Sequence, residues 1–188
     1  MPYEPPPELA ALTLAQIAEA VAARKLPPVE GWAPTRTGDS EMRIAADGRW
    51  YHQGGEITRP AMVRAFSTLL SRDGEGAHWL VSPFEKLAIE VEDAGFVATD
   101  MSLSADDTGG PTIAFRLNTD DLVIAGPQHP IRAAGDPEVP ALYVMVRRGV
   151  EARLNRSTYG QLVEHALSLG REPLAVRSGG MTFALAPV

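Results

Sequence analysis

The stretch that decides the fold, Met42–Val81, reads MRIAADGRWYHQGGEITRPAMVRAFSTLLSRDGEGAHWLV. Apolar and polar residues first alternate as in a half-buried strand, up to Asp47-Gly48, a pair typical of a type I′ hairpin turn. After the returning strand, Thr58 is placed to cap a helix that carries Pro60 in its first turn and apolar residues at helical spacing. A last apolar run completes a predicted hairpin, helix and strand.

The same order of elements recurs at Leu142–Val176. Two apolar runs flank the turn at Arg147-Arg148-Gly149, Ser157 is placed to cap a helix, and Gly170 stands where a helix commonly ends. The recurrence predicts an internal repeat, although residue identity between the two copies is low.

The segments around these copies complete the expected architecture. Short strands with Gly, Asp and Pro turns fill residues 86–125, as in an antiparallel sheet, and Thr13 and Gln16 have capping-box spacing ahead of an N-terminal helix. We therefore predict a mainly antiparallel α+β fold with two lobes. Residues 1–82 form an N-terminal α+β lobe, of which the proline-rich residues 1–8 are poorly ordered, and residues 83–188 form a strand-rich C-terminal lobe with one helix.

Composition narrows the class of protein. The chain of 188 residues has a net charge of −7, a pI near 5.1 and two lysines, Lys25 and Lys86, which disfavours nucleic-acid binding. It has no cysteine, no apolar start typical of a signal peptide and no apolar run long enough to span a bilayer. We expect a cytoplasmic protein that binds neither nucleic acid nor membrane.

The densest group of charged residues lies on the predicted strand from Glu85 to Asp93. Here Lys86 could anchor an anion, and Glu92 or Asp93 could act as a base or contact a ligand. A solvated strand face is the alternative explanation, because most runs of charged residues are exposed surface.

Two histidines and one arginine complete the candidate ligand-binding set. His52 lies on the returning strand of the first hairpin and His129 in a loop before Pro130, so either could serve as an acid; packing and turn formation are the alternatives. Arg59 is expected near the junction of the lobes. The sequence shows no short-range metal-ligand spacing, no nucleophile elbow and no phosphate loop, so we predict no metal and no cofactor.

Several segments resemble the bacterial domain-of-unknown-function family 1285 over about residues 50–169. They are Leu80-Val81-Ser82-Pro83-Phe84-Glu85-Lys86, Val91-Glu92-Asp93, Phe96-Val97, Gly54-Gly55, Ile57-Thr58-Arg59-Pro60 and His129-Pro130. The resemblance implies two lobes with repeated motifs, the second loosely similar to a pleckstrin-homology domain. It implies no established activity and favours, by analogy alone, a role in signalling or sensing.

Three functions follow as hypotheses. The first is a regulatory or signalling module that binds a small, anionic molecule or a peptide in a cleft between the lobes through Arg59, Lys86 and His129. The second is a hydrolase or lyase in which Glu92 or Asp93 is the base and His52 or His129 the acid. The third is a protein-interaction module that pairs an edge strand with a partner. We rank binding above catalysis because no catalytic signature is present.

Overall fold

The computed structural model describes residues 7–188, and the predicted α+β class with mainly antiparallel sheets is confirmed. Its three α-helices are α1 (Leu14–Ala23), α2 (Pro60–Ser67) and α3 (Arg156–Ser168). Its strands are β1 (Arg36–Ile44), β2 (Trp50–His52), β3 (Gly55–Glu56), β4 (Leu70–Arg72), β5 (His78–Val81), β6 (Glu85–Val91), β7 (Phe96–Ala105), β8 (Pro111–Leu117), β9 (Leu122–Ile124), β10 (Ile131–Ala134), β11 (Ala141–Arg147), β12 (Val150–Leu154), β13 (Ala175–Ser178) and β14 (Met181–Ala184).

The first six strands form one sheet in the order β3-β2-β1-β6-β5-β4. The central pair, β1 and β6, is parallel, and the other pairs are antiparallel. Strand β6 begins after the predicted lobe boundary at residues 82–83, yet it lies in the middle of the first sheet, between β1 and β5. The chain therefore passes from one sheet to the other after Val91, and not at Ser82.

The second sheet also has six strands, in the order β10-β11-β12-β7-β8-β9. Two antiparallel three-stranded units meet at the parallel pair β12 and β7, and the last two strands, β13 and β14, pair only with each other. The repeated order of hairpin, helix and strand is present in both lobes. The pairing differs. The strand after α2, β4, belongs to the first sheet, whereas the strand after α3, β13, pairs with β14 outside the second sheet.

The ends of the helices show which local predictions were right. Thr13 and Gln16 form the predicted capping box. The predicted caps of the other two helices were wrong by one or two residues. Arg59 precedes Pro60 at the start of α2 and gives no side-chain cap, and the side chain of Asn155 accepts a 2.9 Å hydrogen bond from the Thr158 amide at the start of α3.

The type I′ turn was predicted in the first hairpin, at Asp47-Gly48, but the second hairpin has it instead. A type I′ turn needs positive φ at both central residues, and in the first hairpin Gly48 has φ +90° while Asp47 does not have positive φ. In the second hairpin both Arg148 (φ 49°) and Gly149 (φ 75°) meet the requirement. Arginine rarely adopts positive φ, so the fold holds Arg148 in place through its side chain.

That side chain joins the lobes. The Arg148 side chain is 5% exposed, and its guanidinium donates to the carbonyl oxygens of Thr68 at 2.8 Å and Leu70 at 3.2 Å. Neighbouring Arg147 donates to the Ser67 carbonyl at 3.2 Å. The tip of the second-lobe hairpin thus places two cations at the C-terminal end of α2, where the free carbonyls favour positive charge.

One apolar core runs through both lobes. Among its fully buried side chains are Trp50 and Leu70 of the first sheet, Phe96 and Phe115 of the second, and Leu162 of α3. Within residues 7–188 none of the helices is long and apolar enough to cross a membrane.

Candidate binding sites

Two of the predicted site residues on or near β6 already have partners in the protein. The Lys86 ammonium lies 4.1 Å from the centre of the Trp79 ring, a cation–π contact on one face of the first sheet. Glu92 follows the strand, forms an ion pair with Arg43 and accepts a 2.9 Å hydrogen bond from the Ala46 amide. Glu92 therefore links the end of β6 to the first hairpin.

Asp93 lies where the chain crosses between the sheets. One carboxylate oxygen accepts a 2.7 Å hydrogen bond from the Tyr143 hydroxyl, and the other lies 2.7 Å from Arg153 Nη1. Burial, together with this contact to Asp93, raises the pKa of Tyr143. Asp93 and His78 both line a polar recess of about 210 Å³ between the lobes.

The remaining candidates lie apart. Arg59 is exposed at the start of α2, and His52 is exposed on β2. His129 is half-buried, and its Nδ1 lies 3.0 Å from the Met145 carbonyl oxygen. Neither the recess beside Asp93 nor either of the two cavities described below is lined by two of the six predicted residues, so none of the three gathers them into one site.

A larger cavity, of about 520 Å³, lies between α1, α2 and the turn that joins β8 to β9. We call it the arginine cavity, and it is lined by Pro7, Leu12, Gln16, Ala20, Val21, Arg24, Arg64, Asp120, Asp121 and Leu122. The helix α1 and the second-lobe turn form opposite parts of its wall, with Arg64 of α2 beside them. The cavity is thus built from both lobes.

The polar end of the arginine cavity is organised around Asp121, which is 4% exposed. Its carboxylate accepts hydrogen bonds from Arg24 Nε at 2.5 Å and from the Thr119 hydroxyl at 2.8 Å, and Arg147 Nη2 lies 3.6 Å away. Burial raises the pKa of Asp121, but Arg147, Arg24 and the hydroxyl outweigh burial and hold the pKa below its usual value of 3.8.

The other two charged residues at this end are Arg64 and Asp120. Arg64 Nη1 donates a 2.6 Å hydrogen bond to the Thr119 carbonyl, and burial and nearby Arg24 lower its pKa. Burial, with the charge of Asp121, raises the pKa of Asp120. Partial burial thus opposes the charged form of both side chains.

Positive charge exceeds negative charge around Asp121. Three guanidinium groups, from Arg24, Arg64 and Arg147, surround two carboxylates, and one of these has a raised pKa. Arg24 Nη2 and Arg147 Nε are buried and have no hydrogen-bond partner within residues 7–188. Buried N–H groups of charged side chains normally have partners, so this end of the cavity is suited to an anion.

Sequence reasoning missed the arginine cavity because its parts are distant in the chain. Arg24 ends α1, Arg64 lies in the middle of α2, and Asp121 follows a turn in the second lobe. The doublet Asp120-Asp121 was the available signal in the sequence.

A second cavity, of about 470 Å³, lies between α2 and one face of the first sheet. We call it the α2 pocket, and it is lined by Ser40, Met42, His52, Ile57, Met62, Phe66, Leu69, Leu80, Ser82, Glu85 and Leu87. Most of these side chains are apolar, in contrast to the recess beside Asp93. Residues 7–188 contain no group of three or more His, Asp or Glu side chains close enough to hold a metal ion.

Comparisons with known proteins establish the family. Residues 27–94 match the model described as Domain of unknown function (DUF1285), N-terminal domain, and residues 95–185 match Protein of unknown function (DUF1285), C-terminal domain. The division between the two models coincides with the passage of the chain from the first sheet to the second. No curated protein matches the chain.

Two crystal structures are similar to the chain. A DUF1285 family protein from Silicibacter pomeroyi is 38% identical, with 95% of this chain and 97% of that chain covered and a TM-score of 0.74. A DUF1285 family protein from Shewanella baltica shares the fold at 20% identity, with 65% of this chain and 90% of that chain covered and a TM-score of 0.51. The predicted resemblance is confirmed, and the chain belongs to the DUF1285 family.

Proposed function

We propose that this protein is a regulatory binding module that holds a small anionic molecule with an apolar body in the arginine cavity. The observation that supports the proposal most directly is the buried Arg24 Nη2, which has no hydrogen-bond partner within residues 7–188 and belongs to a side chain that lines a cavity of about 520 Å³. Cavities of this size, with apolar walls and a few converging polar groups, are typical of small-molecule sites.

The lining residues indicate a ligand with two chemically different parts, an anionic group and an apolar body. The planar guanidinium groups of Arg24 and Arg64 suit a carboxylate or phosphate, which can accept two parallel hydrogen bonds. Leu12, Val21 and Leu122 give the cavity an apolar wall. A chain or ring of carbon atoms attached to the anion would bury its surface there.

The position of the cavity supports a regulatory role. A ligand in it would contact α1 and α2 on one side and the turn before β9 on the other. Such a ligand stabilises the arrangement in which these elements lie together, and it shifts the population toward that arrangement.

The proposal can be tested by thermal unfolding with octanoate, octyl phosphate, octanol and inorganic phosphate at equal concentrations. We expect octanoate or octyl phosphate to raise the Tm, since a ligand that binds the folded state stabilises it, and we expect little effect from octanol. A larger effect of octanoate indicates a carboxylate ligand, and a larger effect of octyl phosphate indicates a phosphate ester.

Arg24→Gln is the test variant, and Arg177→Gln is its matched control, because Arg177 is the exposed residue of β13. The stabilisation should be lost in Arg24→Gln and kept in Arg177→Gln. Equal stabilisation by octanol and octanoate, or a full response in Arg24→Gln, would contradict the proposal. Both variants should unfold well above room temperature without ligand. A lost response then reflects lost binding and not loss of the fold.

A further inference from the structure

The α2 pocket exists because α2 covers the first sheet loosely. The one buried residue of α2 is Ser67, and Met62 remains 38% exposed although it lies on the apolar side of the helix. Phe66 and Leu69 are half-buried. These side chains form a roof over the sheet residues Met42 and Leu80, with the cavity of about 470 Å³ between them.

The hydroxyl groups that line the α2 pocket are already engaged with the backbone. Ser40 Oγ donates to the Ala88 carbonyl at 2.7 Å. Ser82 Oγ lies 3.2 Å from the Glu85 carbonyl oxygen and accepts from the Glu85 amide at 3.1 Å. The polar chemistry left for a ligand is therefore the carboxylate of Glu85 and the imidazole of His52.

Glu85 is half-buried on this apolar wall, and its carboxylate has no ion pair or hydrogen bond among the described side chains. Two cations are near it in the chain or the sheet. Lys86 contacts Trp79 on the other face, and Arg36, which lies opposite Glu85 on β1, is exposed and forms no ion pair with it. A carboxylate in apolar surroundings attracts a cation more strongly than one in water.

We infer that the α2 pocket binds a small organic cation, a primary amine with an apolar body, whose ammonium group pairs with Glu85. The apolar body lies between Phe66 and Leu87, and the ammonium reaches the carboxylate at the wall of the pocket. This site is separate from the arginine cavity and takes the opposite charge. The protein would then respond to two chemically distinct ligands.

Trp50 provides a direct measurement of occupancy. It is 1% exposed and stacks on Phe66 with ring centres 6.5 Å apart and planes 17° apart, so a ligand that moves Phe66 changes its fluorescence. In the double variant Trp32→Phe/Trp79→Phe it is the sole tryptophan. This variant is titrated with cyclohexylmethylamine, cyclohexylmethanol and cyclohexanecarboxylate, which share a ring and differ in charge.

We expect the amine to bind about tenfold more tightly than the alcohol, which corresponds to one charge-assisted contact. Glu85→Gln should remove that difference, and Arg36→Gln should keep or increase it. Arg24→Gln should leave amine binding unchanged, which distinguishes this site from the arginine cavity. Equal affinity for the three compounds, no binding of any, or unchanged discrimination in a folded Glu85→Gln would overturn the inference.

Discussion

The two helices that follow the hairpins, α2 and α3, occupy equivalent places in the order of elements but pack differently. Helix α3 buries Thr158, Leu162 and Ala166 against the second sheet and is capped by the side chain of Asn155. Helix α2 buries Ser67 alone and has no side-chain cap. The difference shows that one repeat uses its helix to complete the core, while the other uses its helix to cover a cavity.

The strongest test of this comparison is Leu162→Ala in α3. Leu162 is fully buried, so its removal should lower the free energy of unfolding by about 2–5 kcal/mol through lost burial and a new cavity. Urea unfolding followed by circular dichroism measures the loss. Leu167→Ala, at a position 63% exposed on the same helix, is the control and should be almost neutral. A loss below 1 kcal/mol for Leu162→Ala would show that α3 is not part of the core.

Arg148 tests the link between the regions. Arg148→Ala removes the donor to the Thr68 and Leu70 carbonyls but keeps a side chain at positive φ, and we expect a loss of about 2–3 kcal/mol. Arg148→Gly removes the same hydrogen bonds and relieves the backbone, so its loss should be about 1 kcal/mol smaller. Equal losses in urea unfolding would mean that the backbone at this turn is not strained.

Asp121 tests the charge balance at the boundary of the lobes. Because its pKa is held below the usual value, its ionised form stabilises the fold at every pH above the unfolded pKa near 3.8. That stabilisation is lost as the pH falls through the folded pKa. Asp121→Asn should lower the stability at pH 7 by about 1–1.5 kcal/mol, the difference between charged and neutral hydrogen bonds, and should flatten the acid limb.

The control for this measurement is Asp136→Asn, in an exposed loop. Unfolding of both variants is compared between pH 7 and pH 2.5. An acid limb in Asp121→Asn as steep as that of the wild type would assign the acid sensitivity to other carboxylates.

The smallest expected effect is that of Met62→Ala on α2. Met62 lies over the α2 pocket and is 38% exposed, so its truncation should change the free energy of unfolding by less than about 1 kcal/mol. A loss as large as that of Leu162→Ala would remove the contrast between the two helices. Amide hydrogen exchange gives a second measurement, in which α2 should exchange faster than α3.

Much of the fold could be predicted because it depends on local patterns. The stretch Met42–Val81 contains its own hairpin, helix and strand signals, and Thr13 with Gln16 specifies a capping box within four residues. The place of β6 could not be predicted in this way. Its parallel pairing with β1 depends on contacts across 40 or more residues, such as Ile44 with Val91, that no local pattern records.

The candidate sites were harder to predict than the fold for a physical reason. The charged run around Lys86 and Glu92 stood out in the sequence because its members are neighbours, yet each found a partner within its own sheet. Arg24 and Asp121 are separated by 97 positions and meet through the packing of α1 beside the turn before β9. Residues that are neighbours in the sequence need not point into the same cavity. A binding site requires side chains that meet in space, whatever their separation in the chain.

The parallel pair β12 and β7 has a consequence for biosynthesis. The first sheet is complete once the chain has been made up to Val91, so it can form while later residues are still being added. Strand β7 follows immediately, but it can pair with β12 only after β12 has been synthesised. Strand β12 belongs to the same hairpin as Arg148. The hairpin that completes the second sheet therefore also carries Arg148, which donates to carbonyl groups of the first lobe. The contact between the lobes can form only after both the first sheet and this hairpin have been synthesised.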